Sequence, residues 1–295
     1  MDTSPGKIRG NSWRISGKKD ILWLLVWIGG LLVLWVWDAL FLNAPAFEKI
    51  QTAFLNSLWT GLMVVVLALF FGWFLGVGLQ TLERSESTIW YTLASFAIDI
   101  IRSVPQIILV LIGYVLLTLL LHEGVIRSTM GQLLWIAFTI AIAVALEVAD
   151  TVRERINYFR TLDFVDAMLC CGISEQRIVN VEILWKNSRS HLLHKLIAIF
   201  GVSIFLQCSI DFIVSVGLST DVSLSNFPMT LGSLLANVDS KQDILALSNL
   251  FTDPDYLPTI VTTHLQGVSV AICIVFTLIC VYMIANGFVR RHKLI

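Results

Sequence analysis

The residue types that could do chemistry in this chain are few and widely spaced. His191 and His194 are three residues apart, a helical spacing that places two imidazoles on one face. Such a pair could hold a metal ion, although histidines that face solvent or lipid headgroups give the same pattern. Asp211 lies within the apolar run Cys208–Phe212. It could bind a cationic solute group on a translocation path, or it could be a carboxylate near the end of a span, hydrogen-bonded to a neighbouring helix.

Motifs for catalysis and nucleotide binding are missing from the sequence. The nearest match to a Walker phosphate loop is Gly17-Lys18-Lys19, which lacks both the hydroxyl residue and the upstream glycine. Neither the zinc-protease motif His-Glu-x-x-His nor the hydrolase motif Gly-x-Ser-x-Gly occurs. The five cysteines fit no zinc or redox spacing and are interpreted as free thiols: Cys170, Cys171, Cys208, Cys273 and Cys280. We therefore expect a non-catalytic chain with no metal or cofactor of its own. The net charge of −1 gives no signal for nucleic acid, and none is expected as a partner.

The composition requires a lipid environment. Hydrophobic residues make up 57% of the chain and charged residues 14%, whereas soluble domains average about 45–50% and about 25%. A bilayer core of about 30 Å needs about 20 apolar residues in a helix. Six stretches approach or meet this length: Ile21–Leu42, Phe54–Leu79, Val104–Leu121, Met130–Val148, Leu196–Leu218 and Gly267–Val289. The sequence thus predicts an all-α membrane protein with six transmembrane helices. Thr88–Arg102 is also helical in pattern and could lie partly in the membrane interface.

The first stretch could be mistaken for a signal peptide. Basic residues precede it, and Ala44-Pro45-Ala46 resembles a cleavage site. However, its apolar run has about 22 residues, whereas signal peptides have roughly 7–15. We interpret it as a retained span.

Lys and Arg residues predict the orientation. If the N-terminus is cytoplasmic and the spans alternate, all but three of the 20 basic residues fall on the cytoplasmic side; the exceptions are Lys49, Arg127 and Lys241. This asymmetry follows the positive-inside rule and predicts that both termini are cytoplasmic.

Two segments between spans are long enough to carry function. Residues 150–195 form a basic cytoplasmic loop, and Glu147 and Asp150 beside it are expected to face water and this loop. Residues 219–266 form an acidic external segment, expected to contain short helices without a core of its own. Its Pro228 and Leu231–Leu235 could dip back toward the membrane. We divide the chain into residues 1–53, the N-terminus with the first span, and residues 54–295, a five-helix core.

The cytoplasmic loop has the pattern of two short amphipathic helices. Apolar residues recur at helical spacing in two sets: Leu162, Val165, Leu169 and Gly172, then Ile178, Val181 and Trp185. Gly172 separates the sets, and Ser174 is placed to cap the second helix. A helix–glycine turn–helix with an apolar ridge could dock into a groove of a soluble partner. It could equally lie on the membrane surface without a partner.

Several motifs resemble those of ABC importer permeases of the dipeptide, oligopeptide and nickel group. Asp166-Ala167-Met168, followed after three residues by Gly172, resembles the Glu-Ala-Ala-x-x-x-Gly signature of their cytoplasmic loop. Leu184 matches its second part, although Trp185 stands at the usual proline. Weaker likenesses follow in order along residues 54–293: Asp99…Val104-Pro105, Phe212–Leu218, Leu231–Leu235 and Asn286-Gly287. The usual external segment between the first two spans is reduced to Asn43–Ala53.

The resemblance implies a type I ABC importer permease fold in a bacterial inner membrane. Such a chain pairs with a second homologous permease and with two ATPase subunits, which bind ATP and Mg²⁺, and an extracytoplasmic binding protein delivers the solute. By analogy the solute is a peptide. The implied coupling residues are Asp163, Asp166, Ala167, Met168, Gly172 and Ser174, and Asp211 and Pro105 are candidates for the translocation path. The alternatives are a secondary transporter or channel, which would favour more buried carboxylates, and a membrane-embedded enzyme, which would need converging His, Asp and Ser residues.

Overall fold

Helices account for the regular structure of the described chain. The computed structural model describes residues 19–84, 88–217, 227–237 and 265–292, with residues 243, 248, 252, 253, 255, 257 and 258. In chain order the elements are α1 (Lys19–Phe41), α2 (Ala44–Arg84), α3 (Thr88–Ser103), α4 (Gln106–His122), α5 (Thr129–Arg160), α6 (Asp163–Cys170), α7 (Glu175–Arg177), a π-helix (Ile178–Asn187), α8 (Arg189–Gly217), α9 (Leu231–Leu235) and α10 (Leu265–His292).

Five of these helices are long and apolar enough to cross a membrane, namely α1, α2, α5, α8 and α10. A sixth crossing exists if α3 and α4 count as one span, since they pass the same test together but bend by 91° at their junction. Each of the six predicted stretches lies largely within a helix. The helices α2 and α5 extend well beyond the apolar runs because polar residues continue the helical pattern at their ends. These helices indicate an integral membrane protein, as the composition predicts.

Small residues allow α2 and α5 to pack closely along their whole contact. A Cβ atom on Gly72 would lie 2.4 Å from Cβ of Val148, and one on Gly76 would lie 2.7 Å from Cγ1 of Val152. Ala68 continues this stripe one turn earlier and is fully buried. Such small-xxx-small stripes bring helix backbones together in membranes, where hydrophobic burial provides little force between helices. The α2–α5 pair forms the centre of the larger apolar core.

The first helix is held to the last by polar contacts at several depths. The three side-chain pairs are Asp20–Arg291 (2.9 Å), Trp27–Thr277 (3.2 Å) and Asp38–Ser269 (2.8 and 2.7 Å). Because these pairs advance along α1 while they recede along α10, the two helices are antiparallel. In apolar surroundings such pairs fix the register of neighbouring helices. The first predicted stretch is thus an integral helix of the bundle, and α2 runs without interruption across the predicted division at residue 53.

Part of the predicted external segment turns back into the bundle. Pro228 and Thr230 are buried, as are Leu231 and Leu234 of α9. The amide of Asn56 donates to the carbonyl of Met229 (2.7 Å). A short helix is therefore present in this segment, as predicted, and Pro228 and Leu231–Leu235 pack into the bundle; their course relative to the membrane stays a prediction. The rest of the predicted segment 219–266 lies outside the described residues apart from isolated positions.

Candidate functional site

The loop between α5 and α8 contains the predicted turn at Gly172. Two residues beyond the end of α6, Gly172 has a left-handed conformation with φ of +78°. The Gly172 N–H donates to the carbonyl of Leu169 (2.9 Å), and the Ile173 N–H donates to that of Met168 (3.2 Å). These two bonds define a Schellman motif, which satisfies the last carbonyls of a helix. The glycine is thus required by the backbone conformation, as the sequence predicts.

The exposed face of α6 carries most of the implied coupling residues. Asp163, Asp166 and Ala167 lie on one face, and all three are exposed. Gly172 and Ser174 in the following turn are exposed too, whereas Met168 is partly buried against the core. Val165 anchors the opposite face and is 7% exposed. The structure therefore brings five of the six residues to the surface and uses the sixth for packing.

Beyond Ser174, the second predicted helix differs from the expected pattern. Ser174 occupies the N-cap position of α7, but its side chain makes no capping hydrogen bond. From Ile178 to Asn187 the chain forms a π-helix, in which hydrogen bonds join residues five apart. Consequently the buried pairs are Ile178 with Ile183 and Val179 with Leu184.

The predicted ridge of Ile178, Val181 and Trp185 is therefore divided between the core and the surface. Ile178 is buried, but Val181 and Trp185 are 39% and 69% exposed. The physical reason is the wider turn, because a five-residue repeat rotates these two side chains away from the core. Apolar side chains consequently remain on the outer surface of the loop.

Charged residues fasten the loop to the ends of two long helices. Glu175 accepts hydrogen bonds from Arg84 at the end of α2 and from Arg160 at the end of α5. Asn180 of the π-helix accepts a bond from the indole N–H of Trp73 in α2 (2.9 Å). The loop is thus joined to α2 and α5 by side-chain contacts.

The same end of the bundle contains two further ion pairs beside the loop. Glu147 contacts Lys195 (2.6 Å) and accepts a bond from Gln106 (2.8 Å). Asp150 pairs with Arg102. Glu147 thus pairs with a basic residue of α8, and Asp150 pairs with one of α3. Asp150 is also exposed, as predicted.

Asp211 lies in a buried hydrogen-bond network at the opposite end of the bundle. Its Oδ1 accepts from the hydroxyl of Tyr114 (2.9 Å) and its Oδ2 from that of Thr230 (2.5 Å). All three side chains are buried. A Cβ on Gly232 would lie 2.6 Å from Cα of Cys208, so α9 packs directly on α8. In this conformation Asp211 anchors the inward-turning segment.

Pro105, the other path candidate, lies at the bend between α3 and α4. Its carbonyl accepts from the N–H of Ile108 (2.9 Å), and Pro105 itself is exposed. Tyr114 is nine residues further along, which corresponds to about 13 Å of helix. The structure therefore does not bring Pro105 and Asp211 together, and a role for either in translocation stays a prediction.

Asp38 is a buried carboxylate that the sequence reasoning missed. It is 2% exposed and accepts two hydrogen-bond contacts from the hydroxyl of Ser269. Its position inside the predicted span Ile21–Leu42 was the available signal.

Of the two histidines, His191 contacts the guanidinium of Arg155 (3.0 Å). Among the described residues there is no group of three His, Cys, Asp or Glu side chains that could hold a metal ion.

Comparison of the sequence with models of known protein families finds no match, and comparison with curated proteins finds no match either.

Proposed function

We propose that this chain is the transmembrane permease subunit of an ATP-binding-cassette importer, which forms a solute pathway with a second homologous permease. The observation that carries the proposal is the loop between α5 and α8. It presents a short helix with an exposed face of Asp163, Asp166 and Ala167, and a glycine turn closes that helix. Its opposite side is joined to the long helices. A surface that receives a partner's movement and passes it to membrane spans needs an exposed face for the partner and firm contacts with the spans.

The mechanism follows from the rigidity of these connections. An ATPase subunit that pushes on α6 would act on Val165, which is buried against the core, and on Glu175, which is paired with Arg84 and Arg160. Packed interfaces respond to such shifts by moving between discrete arrangements. Tilting α2 and α5 together would alternate access between the two membrane faces. Because α2 and α5 pack without space for a Cβ at Gly72, they would move as one body.

The partners follow from the same proposal. Two ATPase subunits would bind ATP and Mg²⁺ and contact the exposed face of α6. The exposed apolar side chains of α2, among them Leu62, Val66 and Phe70, would contact lipid or the second permease. An extracytoplasmic binding protein would deliver the solute, a peptide by analogy, near the segment that contains α9.

A secondary transporter is the second candidate, because Asp38 and Asp211 are both buried inside apolar helices. Buried carboxylates can carry protons or cations during coupled transport. Both carboxylates accept hydrogen bonds from neighbouring hydroxyl groups, which also suits a purely structural role. The energy source of transport distinguishes the two candidates.

Co-purification from native membranes tests the proposed partners. The tagged chain is expected to bring down an ATPase subunit and a second permease, identified by mass spectrometry. Ala167→Trp should lose the ATPase while it keeps the permease, because the larger side chain stands on the exposed face of α6. Ala167→Ser, which keeps a small side chain, and Gln176→Ala, at an exposed position of α7, should keep both. Recovery without any ATPase subunit would refute the proposal.

A further inference from the structure

A cavity of about 480 Å³ lies between the end of α2, the end of α5 and the start of the π-helix. Its polar lining comprises Gln80, Thr81, Arg84, Arg160, Glu175, Gln176 and Asn180, and Val77 and Val179 supply the apolar part. The cavity is large enough for a small polar group together with several waters. It is adjacent to the surface assigned to the ATPase but involves different side chains from Asp163, Asp166 and Ala167.

Positive charge is concentrated in this cavity. Arg84 and Arg160 both donate to the same carboxylate oxygen of Glu175, so two guanidinium groups converge on a single negative charge. The three side chains together carry a net charge of +1. Each guanidinium has five N–H donors, and a bond to one carboxylate oxygen leaves further donors for a second anion. Two convergent guanidiniums suit a phosphate group, because its oxygens can accept bidentate, charge-assisted hydrogen bonds.

Gln80 provides a separate indication of a ligand. Its side chain lines the cavity and is 6% exposed, and among the described residues no donor reaches its buried Oε1. A buried polar atom without a partner costs free energy, so such atoms usually bind water or a ligand. Rotation of the amide by 180° would present its NH₂ group at that position. It could then donate to an anion held by the two arginines.

We propose that this cavity binds a phosphate group, held by Arg84 and Arg160 with Gln80 beside them. Arg84 is the last residue of α2, a helix long enough to span the membrane, so the cavity lies near the depth of lipid headgroups. The phosphate could therefore belong to an anionic phospholipid or to a soluble phosphate compound. Its binding would hold the two arginine side chains in place and so stabilise the contact of α2 and α5 with the loop. The proposal depends on the geometry of this cavity and not on the transport role.

Two binding measurements on the purified full chain separate the sources. Native mass spectrometry with phosphatidylglycerol detects a lipid molecule that stays bound to the protein. Thermal unfolding with added inorganic phosphate detects binding of the soluble ligand as a higher unfolding midpoint. Binding of the lipid alone assigns a lipid site, and stabilisation by phosphate alone assigns a soluble-phosphate site. If wild-type protein shows neither, the proposal is refuted, whatever the outcome for transport.

Variants locate the binding within the chain. Arg160→Gln and the nearly isosteric Gln80→Glu should each weaken binding about tenfold, which corresponds to one lost charge-assisted contact. Arg177→Gln is the matched control, since Arg177 is exposed on the same loop and does not line the cavity. Glu175→Gln removes the competing carboxylate and should strengthen binding. Unfolding without ligand shows that each variant is folded. If Arg177→Gln weakens binding as much as Arg160→Gln, the phosphate is bound elsewhere and the proposal is wrong.

Discussion

The glycine turn after α6 allows a quantitative test by substitution with alanine. Gly172 has a left-handed conformation with φ of +78°, and a Cβ at this position would meet no heavy atom within 4 Å. The cost of Gly172→Ala is therefore conformational and not steric. A left-handed conformation costs a residue with a Cβ roughly 1–2 kcal/mol. Opening of the turn should thus become about 5–30-fold more frequent.

Amide hydrogen exchange measures this opening directly. The N–H groups of Gly172 and Ile173 are the donors of the two bonds that close the turn. In Gly172→Ala, the amides of residues 172 and 173 should exchange about 5–30-fold faster, in proportion to the opening equilibrium. Gly172→Asn should have a smaller effect, because asparagine tolerates the left-handed region better than alanine.

Gly78→Ala is the matched control for this experiment. A Cβ at Gly78 would also meet nothing within 4 Å, but Gly78 lies inside the helix α2. Alanine is favoured over glycine in a helix interior by about 1 kcal/mol, so exchange around residue 78 should slow. Unchanged exchange at residues 172 and 173 in Gly172→Ala would refute the conformational argument. Equal acceleration by alanine and asparagine would refute it too.

Three further outcomes are expected from the topology and the packing. A cysteine placed at Ser240 in a cysteine-free chain should react with an impermeant reagent from outside, and one at Ser174 only after permeabilisation; the reverse labelling would invert the topology. Asp211→Leu leaves the buried hydroxyl of Tyr114 without an acceptor and leaves that of Thr230 only its 3.3 Å contact with the hydroxyl of Ser233, and at about 1–3 kcal/mol for an unsatisfied buried group it should lower the thermal unfolding midpoint clearly; an unchanged midpoint would show that the network adds nothing to stability. Gly72→Leu should prevent folding, since its Cβ alone would lie 2.4 Å from Val148, and a normally folded protein in membranes would contradict the close α2–α5 contact.

The sequence was sufficient to predict the helices but not all of their geometry. The positions of α1, α2, α5, α8 and α10 were predicted from apolar runs of sufficient length, because a membrane span needs a minimum number of apolar residues. The bend before α4 has a local signal in Pro105, which cannot donate a backbone hydrogen bond. The angle of 91° depends on tertiary packing.

The π-helix shows where periodicity misleads. The loop sequence fits a repeat of three and four residues at Ile178, Val181 and Trp185, but the buried residues repeat at five. In a short segment both repeats are compatible with the same apolar composition. In the structure the residues of the five-residue repeat, Ile178 with Ile183 and Val179 with Leu184, are the ones that pack in the core.

The partners in the buried and ionic contacts were beyond sequence reasoning for a different reason. Asp211, Tyr114 and Thr230 lie on three separate elements, and Arg84 and Glu175 are 91 residues apart. Spacing along the chain does not show which of the distant polar groups meet. By contrast, the turn at Gly172 is local, because its conformation depends on neighbouring residues alone, and it was predicted correctly.

Solute uptake by the reconstituted complex tests the central claim most directly. Proteoliposomes that contain the chain, the subunits that co-purify with it and the proposed binding protein are loaded with ATP at the cytoplasmic face, and uptake from a peptide mixture is followed by mass spectrometry. The account predicts uptake that requires ATP, persists when ion gradients are dissipated, and is lost in Ala167→Trp but retained in Ala167→Ser. Uptake without ATP that follows an ion gradient and is unaffected by Ala167→Trp would contradict it and favour a secondary transporter.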